Sequence, residues 1–393
     1  MMAGEDQSTA VDGSRKTLMD DNSVRIEVAR SLSQLRDVAA QWDFLVAKSR
    51  NPSPMSSHAW ISSYLEHMMS GSAAWYVLLA FESESLVGIL PVIQQKRSVA
   101  GIGPNQFVLP SDDHTISVDV VVSRAHEDVV ADMMIQALMK VGKSNAVLSA
   151  GSLPETSPLF SLRDRKRFKD FDGYGSYLKI DSDLDACIAR LSSNFRKNLR
   201  KSSRKLEYMS GVRFRFVSSE EDSEEQLNTF CSVEASGWKG SQGTAIMSSP
   251  QLFEFYKSLV GRLAEAGWLE WHFLECEKHT IAAHMAVRIA RRLTIIKIGY
   301  DEDYRYVSPG NMLLLETIRR SYGSGKVDEI DCITDMKWNE NWKMEKRKYY
   351  NLRLYSRGLR TYFLARFPMQ LRTGILGLPL IGNLVRKTRR ILT

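Results

Sequence analysis

"LTIIKIGYDEDYRYVSPGNMLLLETIRR", residues 293–320, decides how this chain is to be read. A β-branched apolar run ends at Tyr300 and has strand character. A leucine-rich run begins at Asn311 and has helix character. Between them lies the tight turn Ser308-Pro309-Gly310, with Arg305 just upstream. Gly310 can take positive φ and let a ligand approach the backbone. Pro309 stiffens the turn. The first turn of a helix presents unpaired N–H groups and the positive end of a dipole, which suits a pyrophosphate. Arg305 can add a charge-assisted contact, and Arg319 and Arg320 make the neighbourhood basic. A plain connection has the same pattern, so the turn is a candidate cradle and no more.

Working outward, the chain reads as two copies of one unit. "WYVLLAFESESLVGILPVIQ" (75–94) and "WLEWHFLECEKHTIAAHMAVRI" (268–289) both read as strand, short polar turn and apolar strand. Setting Phe81, Glu82 and Glu84 against Leu274, Glu275 and Glu277 aligns the two turns. A helical stretch precedes each hairpin, "SSHAWISSYLEHMM" (56–69) and "SPQLFEFYKSLVGRLAEAG" (249–267). So long a repeat implies two α/β units and not a solenoid. The first copy continues "GIGPNQFVLPSDDHTISVDVVVS" (101–123), with no Ser-Pro-Gly turn opening a helix. If the turn binds something, only the second copy does so.

Bulk composition fits this. With 393 residues, 44% hydrophobic and 25% charged, the chain has the size of about two ordinary globular domains. A net charge of +7 points to anionic partners: a nucleotide cofactor, nucleic acid or a lipid surface. The scattered cysteines, Cys187, Cys231, Cys276 and Cys332, read as reduced thiols, and no His/Cys pattern supports a metal. The polar N-terminus lacks an apolar signal core, and no run is long enough to span a bilayer. These features give a cytoplasmic expectation. Residues 1–22 read as a disordered tail, 23–165 as the first unit, 166–356 as the second and 357–393 as a basic amphipathic tail. The stretch 150–176 reads as the linker between units, being rich in Gly, Pro, Ser and charge. A single amphipathic helix is predicted over 184–209, its apolar stripe carrying Leu191, Phe195 and Leu199. The opposite face holds Arg196, Lys197, Arg200, Lys201, Arg204 and Lys205. That face is either a solvated surface or one that meets phosphate. Residues 357–393 contain no Asp or Glu and alternate basic with apolar residues. Segment 359–393 reads either as a peripheral anchor at the inner, anionic membrane surface or as a helix packed on the second unit.

At the turn, Arg305-Tyr-Val-Ser308-Pro-Gly310 resembles the Arg/Gln-x-x-Gly-x-Gly/Ala loop of the GNAT acyltransferases, with Ser308 in place of the first glycine. More of the chain is similar to the CelD/BcsL-like acetyltransferases of bacterial cellulose biosynthesis, double-GNAT proteins related to Fem-type transferases. "LSSNFRKNLRKSSRKLE" (191–207) looks like their basic helix, and "VEASGWKGSQGTAI" (233–246) like their Glu-x-x-x-Trp-Lys segment. "EIDCITDMKWNENW" (329–342) resembles their late acidic strand, with Thr334, Trp338 and Asn339 departing from the usual pattern. The resemblance covers roughly 25–357. It implies an α/β fold of two tandem GNAT-like domains, each a mixed, mostly antiparallel sheet flanked by helices, the first degenerate. It also implies an acyltransferase using acetyl-CoA or another acyl-CoA, with pyrophosphate at Arg305, Ser308, Pro309, Gly310 and Asn311.

Such an enzyme must take a proton from its nucleophile and protonate the leaving thiolate. Glu234 is a candidate base, or else a surface carboxylate paired with Lys239. Asp331, in the alternating strand "VDEIDCIT", is a second candidate. Tyr300 can supply a proton to the thiolate or simply pack. Trp238 and Lys239 are candidates for shaping the acceptor site. His272, His279 and His284 read as structural or solvent-exposed. "SDDH" (111–114) lines the cleft between units or is a plain turn. The expected acceptor is a small molecule or saccharide, and nucleic acid is not an expected partner. An aminoacyl-tRNA-dependent transferase and a non-catalytic accessory protein of exopolysaccharide assembly are the other readings.

Overall fold

The computed structural model describes residues 15–356 except 22, 70–72, 96–103, 144, 163–166, 182, 219–222, 238–239 and 241. In the first half, β1 (Lys16–Asp21) and β2 (Val24–Ala29) precede α1 (Leu32–Arg36), α2 (Ala39–Lys48) and α3 (His58–His67). Strands β3 (Ala74–Glu82), β4 (Ser85–Gln95), β5 (Asn105–Val108) and β6 (Val121–Val122) follow, then α4 (Glu127–Val141) and β7 (Ala146–Pro154). The second half opens with β8 (Arg167–Lys179), α5 (Leu184–Ala189), α6 (Ser193–Glu207), β9 (Val212–Ser218), α7 (Ser223–Ser236) and α8 (Pro250–Glu265). It continues with β10 (Leu269–Cys276), β11 (His279–Ile289), β12 (Arg292–Tyr300), α9 (Pro309–Ser324), β13 (Glu329–Asp331) and β14 (Glu345–Tyr355).

One mixed, mostly antiparallel sheet holds all of these strands, in the order β1-β2-β3-β4-β5-β7-β14-β8-β13-β12-β11-β10-β9, with β6 beside β4. The duplication is visible in it. Strands β2-β3-β4-β5 and β9-β10-β11-β12 occupy matching positions, and each set ends in a parallel pair, β5 with β7 and β12 with β13. The hairpins match in detail. Ser83 and Glu277 are the left-handed residues of the two turns, and the register slips between Ala80 and Phe81 in one and Leu274 and Glu275 in the other. The structural equivalence is therefore Ser83 with Glu277, one residue from the sequence alignment of the turns.

Three further expectations are corrected. The N-terminal tail is not disordered through residue 22, because Lys16–Asp21 pairs antiparallel with β2. Part of its backbone hydrogen bonding is thus met by the sheet edge. The predicted linker contains the end of β7 and much of β8, and β14 lies between these two strands. The single helix predicted over 184–209 is two. Ser192 accepts a hydrogen bond from the Phe195 N–H at 3.2 Å and so caps a new helix start.

Alternate residues of β10 and β11 feed two cores on opposite sheet faces. Trp271, Phe273, Ala283 and Met285 pack with α7 and α8, in a core that continues through the first half. Leu274, Ala282 and Ala286 pack with α5, α6 and α9. On the first face α3 meets α8 across the halves, with Trp60 edge-on to Phe255 at 6.0 Å and Arg262 paired to Glu66 at 2.6 Å. Among the described residues no helix is long and apolar enough to cross a membrane.

Candidate active site

The site is built around β12. One side of this strand pairs with β11 along its length, and Ile296 is bulged out between Ile295 and Lys297. On the other side it pairs with β13 only through Arg292–Thr294. From Ile295 onward these neighbours part, and two cavities lie along the opened stretch. One, of about 320 Å³, runs from Ile295 and Ile298 under the turn at Ser308–Asn311. The other, of about 420 Å³, is walled by Glu234, Lys297 and Thr334. Ile295, Ile298, Gly299, Tyr300 and Trp338 line both.

The turn differs from its sequence reading in one respect. Gly310 is not left-handed; Ser308 is, at φ 52° and ψ 55°. Asp301 first caps a short 3₁₀ turn, Glu302–Val307, by accepting from the Asp303 N–H at 3.0 Å. The chain then reverses at Ser308, and α9 starts on Pro309, which has no N–H to leave unpaired. The Met312 N–H reaches the Ser308 carbonyl at 3.1 Å, whereas those of Gly310 and Asn311 have no partner among the described residues. Arg305 is exposed at the cleft rim, with no carboxylate partner among them. The Asn311 side chain is committed, since its Oδ1 accepts from the Trp342 indole at 3.2 Å. Trp342 in turn meets Phe195 of α6 edge-on at 5.2 Å, and Lys205 of α6 donates to the Tyr306 carbonyl at 2.9 Å. The basic helix thus braces the turn. Arg319 and Arg320 do not enrich this neighbourhood. They lie about 14 Å farther along α9, one paired with Glu316 and the other stacked on Phe216.

Glu234 is not a surface carboxylate. It is 1% exposed, near the end of α7 against β12. Two glycines permit that approach: a Cβ on Gly299 would lie 3.2 Å from the Glu234 Cα, and one on Gly237 2.9 Å from the Tyr300 carbonyl oxygen. Glu234 Oε2 accepts from the Ile246 N–H at 2.9 Å, and Oε1 lies 3.7 Å from the Lys297 ammonium. Lys297 also lies over the ring of Tyr256, 5.3 Å from its centroid. The first half reaches this cluster through the 111–114 turn, where His114 Nδ1 is 3.2 Å from the Tyr256 hydroxyl. Burial and then the charge of Lys297 hold His114 below the usual imidazole range. Burial, reinforced by Glu234, raises the Tyr256 phenol well above its usual value. Lys297 was overlooked in the sequence, although a lysine inside "LTIIKIGY" is a visible anomaly in an apolar strand.

The structure brings Glu234 and Tyr300 to one cavity and keeps Asp331 apart. Asp331 pairs with Arg347 at 2.9 Å and accepts from the Ile333 N–H at 2.7 Å. It lines a small separate cavity with Asp119 and Arg292. Level with Thr294, it sits about 20 Å down the strand from Tyr300. Its electrostatics are those of a structural ion pair. Trp238 and Lys239 lie outside the described residues, as does 357–393. Of the three histidines, His279 is exposed at the hairpin turn, while His272 and His284 are buried. No group of His, Cys, Asp and Glu among the described residues is arranged to hold a metal.

Residues 193–344 match the family described as acetyltransferase (GNAT) domain. No curated protein matches the chain. Among solved structures the chain is similar to FemX, at TM-score 0.61 and 9% identity, over 83% of this chain and 98% of that one. It is also similar to L-PGS from Bacillus licheniformis, at TM-score 0.50 and 13% identity, over 88% and 96%. A domain assigned to a lysylphosphatidylglycerol synthetase in Agrobacterium fabrum aligns at TM-score 0.51 and 11% identity, over 82% and 92%. At such identities the likeness is one of fold. The second half of the chain carries a GNAT-type acetyltransferase domain, and the protein is an acyltransferase.

Proposed function

We propose that the protein moves an acyl group from acyl-coenzyme A, acetyl-CoA in the simplest case, to an amine or hydroxyl of a small molecule or sugar. The observation that carries this reading is the turn. Two helix-start N–H groups and Arg305, none of them with a partner among the described residues, stand at the rim of a cleft that adjoins the Glu234 cavity. Such a cradle fits a diphosphate, and the apolar wall of Ile295, Ile298 and Leu314 beyond it fits a slender arm. The bound donor supplies an activated thioester. Glu234 takes the proton of the nucleophile, with Lys297 beside it to stabilise negative charge. Tyr300, whose ring borders Gly310, walls the cradle end of the arm, and the proton that Glu234 has taken goes to the leaving sulfur. Resemblance to the CelD/BcsL-like group supports an acceptor in polysaccharide biosynthesis, met in the cytoplasm or at the inner membrane surface. The FemX-like fold and the basic face of α6 favour a second reading, transfer from an aminoacyl-tRNA. Calorimetric titration with acetyl-CoA decides between them, using the wild type and Gly310→Asp, which sets a negative charge in the cradle. Tight binding lost in the variant supports the first reading. Absence of binding by the wild type, or equal binding by both, overturns it.

A further inference from the structure

His284 interrupts an otherwise apolar buried run, Ile281 to Val287. It stands opposite Ile298 of β12 on one side and His272 of β10 on the other. The residue is 4% exposed, and its Nδ1 is sealed from solvent with no hydrogen-bond partner among the described residues. No described residue bonds either ring nitrogen. His272 does not relieve it. The two rings meet edge-on at 5.9 Å, and the His272 nitrogens are committed to Thr317 at 3.1 Å and Glu270 at 3.5 Å. Burial, then the neighbouring His272, pushes the His284 imidazole well below its usual range, so the ring is neutral. A buried polar group without a partner is costly, and leucine at this position would avoid that cost. The one open side of the ring faces the cleft below the phosphate cradle, where Ile295, Ile298 and Leu314 are its neighbours.

We infer that His284 is a specificity-determining residue that hydrogen-bonds an amide of the donor's arm, between its phosphates and its acyl end. The inference rests on the acyl-coenzyme A reading. A neutral imidazole has one N–H and one lone-pair nitrogen, so it can satisfy an amide carbonyl or an amide N–H. Ile298, opposite His284, is two residues, about 7 Å, down the strand from Tyr300, whose ring borders Gly310. An arm entering from the cradle therefore passes His284 on its way to Ile295. A nucleotide that lacks such an arm leaves the imidazole unpartnered.

The test is calorimetric, with coenzyme A and adenosine 3′,5′-bisphosphate as probes against the wild type, His284→Leu and His284→Asn. Leucine is expected to weaken coenzyme A at least tenfold and leave the bisphosphate unchanged. Asparagine, which keeps a donor and an acceptor, restores part of the loss. Thermal unfolding of the leucine variant at or above the wild-type temperature shows that the fold is intact. Unchanged affinity of the leucine variant for coenzyme A overturns the inference while the donor reading stands. So does an equal loss of both probes. Failure of the wild type to bind coenzyme A removes the donor reading and this inference with it.

Discussion

Replacing Gly310 by alanine is expected to stabilise the fold and damage donor binding at once. Gly310 is the second residue of α9, and its backbone is not left-handed. A Cβ placed there would meet only Tyr300 Cδ1, at 3.8 Å, an ordinary van der Waals distance. The folded protein has room for the methyl group. Alanine also removes the backbone freedom that glycine has in the unfolded chain, worth about 0.5–1 kcal/mol in a helix. Equilibrium urea unfolding should show a higher midpoint with an unchanged slope. The methyl group, however, projects beside the N–H groups that would hold phosphate. It displaces any ligand hugging that backbone by about one C–C bond, roughly 1.5 Å. The expected loss in acetyl-CoA affinity is at least tenfold, about 1.4 kcal/mol, read by calorimetry. The two effects have opposite signs, which general damage to the protein cannot produce. A lowered midpoint would refute the packing argument, and unchanged affinity would show that the glycine is not there for the ligand.

Four further expectations follow, three from the structure and the last from the sequence of the basic tail alone. Glu234→Gln keeps an acceptor for the Ile246 N–H but removes the charge facing Lys297, and should cut turnover about 100-fold or more while coenzyme A affinity holds; near-normal turnover removes Glu234 as the base. Asp331→Asn should cost roughly 1–3 kcal/mol by removing one of two carboxylate partners of Arg347, Glu329 remaining, with kcat of the folded enzyme little changed; a large kcat loss at unchanged stability would point to Asp331 as the base. Burial outweighs the hydrogen bonds from Ser157 and Val120 and pushes the Asp119 carboxyl up to about 7. The folded state therefore keeps a proton that the unfolded chain releases, and stability should fall as pH rises from about 4 to about 7, by up to about 4 kcal/mol. Asp119→Asn should flatten that slope in denaturant unfolding, and an unaltered slope would place the titration elsewhere. Deleting 359–393 should abolish sedimentation with anionic liposomes, and retained binding would exclude the tail as an anchor.

The repeat, its hairpins and the strand–turn–helix at 293–320 were legible because they are local. Period-two runs, a Pro-Gly pair and a leucine-rich stretch declare themselves within a few residues. The same locality explains the misses. The segment 150–176 has linker composition, yet part of it forms central strand because β14, far away in sequence, supplies its hydrogen-bond partners. Which residue takes the left-handed conformation depended on the 3₁₀ turn that precedes α9, and it fell on Ser308 in place of the more permissive glycine. Lys297 and His284 were visible as polar interruptions of apolar strands, but an interruption does not say what faces it.

By itself the sequence determined that two α/β units are present and that only the second opens a helix with a basic-flanked Ser-Pro-Gly turn. Tertiary structure decided which carboxylate faces the opened stretch of β12. Glu234 and Asp331 look alike in the sequence, each an acid among apolar neighbours. Packing of α7 on Gly299 brings Glu234 to the open side of β12 beside Lys297. Pairing of β13 with β8 and β12 holds Asp331 against Arg347. A carboxylate's chemistry is set by the charges and solvent around it, and long-range contacts, not its neighbours in the chain, supply both.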